Sequence, residues 1–194
     1  MNNNITIRTA TPDDAKGLLE IYGPYIENTA ITFEYTVPTV EEFAERIRKT
    51  LEKYPYLVAM DGEQIVGYAY ANQFHTRAAL SWAVEASIYL DSAYRQNGIG
   101  RQLYALLEDI LKKQNVTNLY VSIADIDRVD EHLTNASIKF HEKLGFKLNA
   151  RFTKCGYKFG KWYDLVYMEK FIGVHEGEMP GPAAFDEIRK YFTL

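Results

Sequence analysis

Apolar residues recur along this chain with two periods, and the switches between them mark its elements. Residues 5–8 alternate apolar and polar, the period of a half-buried strand. Ala15, Leu18, Leu19, Tyr22 and Ile26 then fall on one stripe of a helix. Thr11 caps that helix and Pro12 opens it, with acids in the first turn. A loop over residues 28–38 carries Phe33 and Tyr35, and Thr39 to Glu42 reads as a capping box that starts a second helix, ending at about Lys53. Runs at 56–60 and 64–71 flank Asp61-Gly62, a hairpin signal. A third run, 83–90, ends at a glycine-bearing turn and gives way to a helical pattern reaching about Lys113. Residues 118–124 read as a buried strand, and 135–144 as a helix closed by Gly145. Residues 146–152 and 162–171 read as the last two strands, joined by a Gly-rich stretch at 155–161. Early hairpins followed by alternating strands and helices predict an α/β fold: a mixed, mostly antiparallel central sheet flanked by helices.

The tail has a different texture. Residues 173–182 read as a linker, and Phe185, Ile188, Tyr191 and Phe192 make a short amphipathic stripe. This divides the chain into a main domain, 1–172, and a C-terminal extension, 173–194. The stripe suits a helix packed on the same domain, or a contact with a second subunit; the first reading is the simpler. At 194 residues the chain is long enough for one domain with a sizeable core. Hydrophobic content of 47% and charged content of 25% argue against disorder. A net charge of −4 without a basic cluster argues against nucleic acid or an anionic membrane as partner. The single cysteine, Cys155, excludes an intrachain disulfide and a Cys-rich zinc site. Four scattered histidines without an H-x-x-x-H pair give no support for a metal. No apolar run reaches membrane-spanning length, and Met1-Asn2-Asn3-Asn4 lacks the basic start of a signal peptide, so the expectation is a cytoplasmic protein.

The chemistry concentrates at Arg95-Gln96-Asn97-Gly98-Ile99-Gly100-Arg101. A glycine turn between strand and helix presents backbone N–H groups at the helix start, an anion site suited to a pyrophosphate. Gly98 and Gly100 are expected to let the backbone approach phosphates without a Cβ in the way. No Gly-Lys-Ser/Thr follows, so this is not a P-loop, and two glycines at mid-chain fit the dinucleotide fingerprint poorly. The second constellation runs from Asn135 through Ala136, Ser137, Phe140 and His141 to Gly145-Phe146.

The R-x-x-G-x-G turn resembles the acyl-coenzyme-A loop of the GNAT N-acetyltransferases, and the Asn135 segment resembles a second motif of the same superfamily. With Arg77, Glu85 and the stretch from Cys155 to Asp164, the ensemble is similar to the phosphinothricin and methionine-sulfoximine acetyltransferase branch, over residues 5–171. The resemblance implies acetyl-coenzyme A as co-substrate and no metal. It implies cofactor contacts at Ile88, Tyr89, Leu90, the whole turn from Arg95 to Arg101 (Arg95, Gln96, Asn97, Gly98, Ile99, Gly100, Arg101), and Asn135. A backbone N–H of residues 88–90 is expected to hold the oxyanion. The implied partners are a small-molecule amine and a second copy of the chain, as a homodimer.

Transfer to an amine needs a base, because an α-amine is mostly protonated at neutral pH. Glu85 is the candidate, on the same strand face as Ser87; taken alone, it is also an ordinary strand carboxylate. His141 stands where the family has a tyrosine that protonates the leaving thiolate. It is expected to take that role or to share the base role with Glu85. Arg77 is the candidate for an α-carboxylate, which favours a bidentate donor. Phe33, Tyr157 and Trp162 are expected to wall the acceptor pocket. The implied activity is acetylation of the α-amine of a small amino acid or an analogue. Two alternatives stay open: acetylation of a protein N-terminus or polyamine, and a non-catalytic acyl-coenzyme-A-binding domain.

Overall fold

The computed structural model describes residues 5–192, so the stretch Met1 to Asn4 and the last two residues of the tail lie outside it. In chain order the elements are β1 (Ile5–Thr9), α1 (Ala15–Asn28), α2 (Val40–Leu51), β2 (Tyr56–Asp61), β3 (Gln64–Gln73) and β4 (Ala83–Leu90). Then follow α3 (Ile99–Lys113), β5 (Asn118–Asp125), α4 (Ala136–Lys143), β6 (Lys147–Lys158), β7 (Lys161–Phe171) and α5 (Phe185–Ile188). The strands form one seven-stranded sheet in the order β1-β2-β3-β4-β5-β7-β6. Only β4 and β5 pair in parallel; the other five pairings are antiparallel, as the hydrophobic pattern predicts.

Local chemistry explains the helix starts. The Thr39 hydroxyl accepts the Glu42 N–H at 3.1 Å and the Glu42 carboxylate accepts the Thr39 N–H at 2.8 Å, a closed capping box. At the first helix the expected start at Pro12 becomes a single 3-10 turn, Pro12–Asp14, before α1. Asp14 turns back to accept the Thr11 N–H at 2.7 Å and both Arg8 guanidinium nitrogens at 2.8 and 2.7 Å, which tightens that turn.

The core lies on both faces of the sheet. On one face α3 packs Leu103, Leu107 and Ile110 against Ala69, Val84, Ala86 and Val166. On the other α1 and α2 pack Leu18, Ile26 and Ile47 against Val58 and Tyr68. The last two strands differ from expectation. The Gly-rich stretch is not a loop: β6 continues through Cys155 to Lys158, and Phe159 and Gly160, with φ of 51° and 72°, make a tight turn into β7. The strand reaches so far because Tyr157 pairs with Trp162 and Lys158 with Lys161, with register shifts absorbing the irregularity upstream.

The tail closes onto the same core, the simpler of its two readings. Phe185 is fully buried and Ile188 nearly so, in the cluster built around α3. Gln114 holds the approach: its buried amide donates to the carbonyls of Lys53 and Ala183, each at 2.7 Å. We expect Phe185→Ala to cost about 3–5 kcal/mol of global stability, the usual loss for a buried phenylalanine. Guanidinium unfolding measures it; an unchanged midpoint means the extension unfolds apart from the domain.

Candidate active site

The sheet opens at its centre. β4 pairs with β3 from Val84 to Leu90, and β5 with β7 along its whole length. Between them β4 and β5 share only three partners: Ala83 with Asn118, Val84 with Leu119 and Glu85 with Tyr120. From Ala86 onward the two strands part, and a narrow cavity fills the gap. Ser87 and Ser122 line it from one face of the sheet, and Tyr104, Ser137 and His141 from the other. Alternation along β4 turns the backbone of Ala86, Ile88 and Leu90 toward this gap. The Tyr25 hydroxyl occupies Leu90, accepting its N–H at 3.2 Å and donating to its carbonyl at 2.7 Å. Of residues 88–90, the Ile88 amide is the one aimed at the cavity without a side chain bound to it among the described residues. Tyr89 points its ring into an aromatic cluster, 4.7 Å from Tyr22 and 5.1 Å from Tyr25.

Glu85 stands where the strands separate. The Ser122 hydroxyl donates to its carboxylate across the start of the gap. On the same face Ser87 is the register partner of Tyr70. Nearby, Glu34 accepts the Tyr22 hydroxyl at 3.1 Å and is gripped by Arg46 at 2.7 and 3.2 Å. Burial pushes the Tyr22 phenol up to about 12, and burial likewise raises Tyr70. These phenols stay protonated, so the face around Glu85 is rich in neutral hydroxyl groups.

The opposite face carries His141, which is 3% exposed. Its Nδ1 lies 2.8 Å from the Ser137 carbonyl and its Nε2 2.8 Å from the Tyr104 hydroxyl. A carbonyl only accepts, so Nδ1 carries the proton, and Nε2 accepts from Tyr104. Burial lowers the imidazole to about 4 despite the Ser137 bond. His141 is therefore neutral at pH 7, with both nitrogens engaged. It holds Tyr104, which lines the cavity beside it and whose phenol burial drives far above its ordinary range. Sequence reasoning missed Tyr104, because a buried tyrosine on the apolar stripe of α3 reads as core; the signal was its spatial partner, a histidine 37 residues on.

The glycine turn caps α3. Gly98 is the N-cap with φ of 82°, and open space surrounds the position a Cβ would take. Gln96 is also left-handed at φ 66°, uncommon for a residue with a side chain. Two left-handed residues in close succession leave the amides of this exposed turn free to converge on an anion. Arg95 packs over the Tyr25 ring at 5.0 Å, while Asn97 and Arg101 are exposed beside it. Gly100 departs from expectation: it is buried, and a Cβ there would meet Phe140 at 3.0 Å. It serves the packing of α4 on α3, so the open approach belongs to Gly98 alone; Ile99 is buried as a core residue. Asn135 is exposed at the start of α4, its side chain bonded to no helix N–H.

The proposed acceptor residues divide. Arg77 is exposed in the loop between β3 and β4, and its guanidinium has no hydrogen-bond or ion-pair partner among the described residues. Phe33 packs on Gly156, where any Cβ would collide with its ring. Tyr157 and Trp162 pack on each other at 5.0 Å and stay exposed on the β6–β7 hairpin, away from Glu85. The hairpin latches the loop that carries Phe33. Buried Lys158 donates to the carbonyls of Thr29 and Thr32 at 2.9 and 2.8 Å, and the Tyr35 hydroxyl donates to the Tyr157 carbonyl. Burial lowers the Lys158 ammonium below its usual range.

Comparison with known proteins agrees with this geometry. Residues 7–167 match the family model described as an acetyltransferase (GNAT) domain. An L-methionine sulfoximine/L-methionine sulfone acetyltransferase of Salmonella typhimurium is 31% identical over 172 residues, covering 88% of this chain and 96% of that one. A phosphinothricin N-acetyltransferase of Streptomyces viridochromogenes is 28% identical over 179 residues, covering 92% and 91%. The crystal structure of a GNAT superfamily phosphinothricin acetyltransferase from Sinorhizobium meliloti, in complex with acetyl-coenzyme A, superposes with a TM-score of 0.80 at 32% identity, covering 92% of this chain and 93% of that one. Similarity of this kind extends along nearly the whole chain, which belongs to the GNAT acetyltransferase family.

Proposed function

We propose that this chain is an acetyl-coenzyme-A-dependent N-acetyltransferase acting on the α-amine of a small amino acid or analogue of the methionine sulfone, methionine sulfoximine or phosphinothricin kind. The carrying observation is Glu85, held by Ser122 where β4 leaves β5, with an anion-binding turn at the far end of the same strand. The turn fits the cofactor's pyrophosphate, because Gly98 leaves space and two left-handed residues expose amides. Gln96, Asn97 and Gly98 hold the phosphates in this reading, with Arg95 and Arg101 supplying charge. Asn135 and the Ile88 backbone flank the arm that enters the gap. Bound there, acetyl-coenzyme A supplies the thioester: the amine nitrogen bonds the acetyl carbon, the carbon–sulfur bond breaks, and a proton from that nitrogen passes to the thiolate.

Glu85 first takes one proton from the ammonium, directly or through a water, making the nitrogen a nucleophile. The Ser122 bond aims its carboxylate at the gap. Tyr104 faces the reacting atoms from the other side of the sheet. Its one hydroxyl proton is donated to neutral His141, which orients it, so Tyr104 presents its oxygen to the gap as a hydrogen-bond acceptor. His141 thus acts as a positioning residue in this proposal, not as the acid expected from its sequence position. Arg77, free of partners among the described residues, takes the acceptor's carboxylate. Residues 1–172 form the catalytic domain and 173–194 an extension of it. The enzyme is cytoplasmic and dimeric in the same reading, with the exposed Tyr157 and Trp162 hairpin at the subunit contact.

An acetyl-coenzyme-A consumption assay with L-methionine sulfone, its carboxamide and spermidine tests the acceptor class. Turnover confined to the carboxylate-bearing amine is expected, and Glu85→Gln should lower kcat by about 10²–10⁴-fold while cofactor affinity holds. Faster turnover of spermidine would reject the amino-acid reading.

The two glycines should separate experimentally. Gly98→Val, which puts a β-branched side chain on left-handed backbone, should distort the turn and weaken acetyl-coenzyme-A binding, whereas Gly100→Val should lower thermal stability through its collision with Phe140. Calorimetry and a melting curve on each variant check this.

His141 also predicts a pH dependence. An unfolded histidine titrates near 6.5 and this one at about 4, so the unfolded state binds more protons between those values. Its contribution is complete above about pH 6.5 and is lost as pH falls toward 4. Between pH 7.5 and pH 5 the wild type should lose about 2 kcal/mol more than His141→Gln in urea unfolding.

A further inference from the structure

The C-terminal extension builds the outer wall of a second cavity, of about 500 Å³, beside Glu85 rather than inside the gap. Leu80 and Trp82 form one side, Val174 and Met179 the other, and Phe74 and Tyr120 the inner wall. Three observations tie it to the reacting centre. Tyr120 is the register partner of Glu85, and the Phe74 ring stacks on it at 4.4 Å. Ala83, which also lines the cavity, is on the same strand face as Glu85, about 7 Å along β4. The rim loop between Phe74 and Ala79 carries Arg77.

The wall is fixed in place. The Trp82 indole N–H donates to the Pro180 carbonyl at 2.9 Å, and His175 Nε2 bonds Asn118 Oδ1 at 2.8 Å. Those bonds engage the Trp82, His175 and Asn118 side chains and leave walls that are mostly aromatic and aliphatic. Among the described residues no carboxylate or ammonium lines it, and its size is that of a ligand pocket rather than a packing defect.

We propose that this cavity is the side-chain subsite of the acetyl acceptor and takes an L-amino acid with a large apolar side chain, aromatic or thioether. The inference rests on the amine-acetylation reading above. Arg77 for the carboxylate, Glu85 for the amine and this cavity for the side chain make the three points that define an L-α-amino acid. The extension, which lies beyond the matched family region, then sets acceptor size.

The test compares kcat/KM for L-phenylalanine and L-methionine sulfone in the wild type, Leu80→Asp and Met179→Asp. A companion titration follows Trp82 emission in a Trp162→Phe background, with coenzyme A present and phenylalanine added. The wild type should accept phenylalanine, both variants should lower the phenylalanine-to-sulfone ratio at least tenfold, and Trp82 emission should shift with saturation. An unchanged ratio, rejection of phenylalanine by the wild type, or an unresponsive Trp82 overturns the subsite, while methionine sulfone turnover leaves the acetylation reading standing. A Trp82 shift without acetylation of any amino acid overturns the acetylation reading and leaves a cavity that binds phenylalanine.

Discussion

The arrangement depends on where the ladder between β4 and β5 stops. Two parallel strands that share three partners and then diverge leave backbone donors and acceptors unpaired in the middle of a sheet, a costly position. The chain offsets this with the Tyr25 hydroxyl, which satisfies both polar groups of Leu90 at the far end. The remaining exposed stretch is short and contains Ile88. The opening joins the two faces, so Ser87 and Ser122 on one side and a tyrosine–histidine pair on the other line the same small space, with Glu85 bonded to Ser122 at its edge. Removing the divergence would restore an ordinary sheet with nothing to bind.

Much of this was legible in the residues. The capping box at Thr39, the strand alternation and the glycine turn follow from local physics, and the structure contains them where the patterns fall. Glu85 was a candidate because alternation fixes its face, and the resemblance to the acetyltransferase branch set it above an ordinary strand carboxylate. Glycine identity carried less than it promised. The same missing Cβ opens a binding surface at Gly98 and accommodates Phe140 at Gly100, and only the φ angle and the neighbours separate the two uses.

What stayed hidden was set by tertiary contact. Tyr104 has the sequence signature of a core residue, and it is buried like one; its orientation toward the gap comes from His141 on another helix. His141 is neutral, its Nδ1 proton on the Ser137 carbonyl and its Nε2 accepting from Tyr104, because burial outweighs its backbone bond. The β6–β7 turn was misplaced because its glycines, Gly156 and Gly160, answer to different demands: Phe33 stacking on one, a left-handed turn at the other.

The latch around Lys158 has a mechanical consequence. A loop over a binding cleft is usually compliant, hinged at its two ends and free between them. Here the loop is riveted along its length: an ammonium clamps the carbonyls of Thr29 and Thr32, a ring beds on Gly156, and a hydroxyl reaches the strand beyond. Glu34 rides on that loop and grips Arg46 of α2. The β6–β7 hairpin therefore acts as a stiff lever whose short arm ends at the tyrosine cluster beside Glu85. Load at its exposed tip is carried to the Glu34–Tyr22 pair instead of being dissipated in a slack connection.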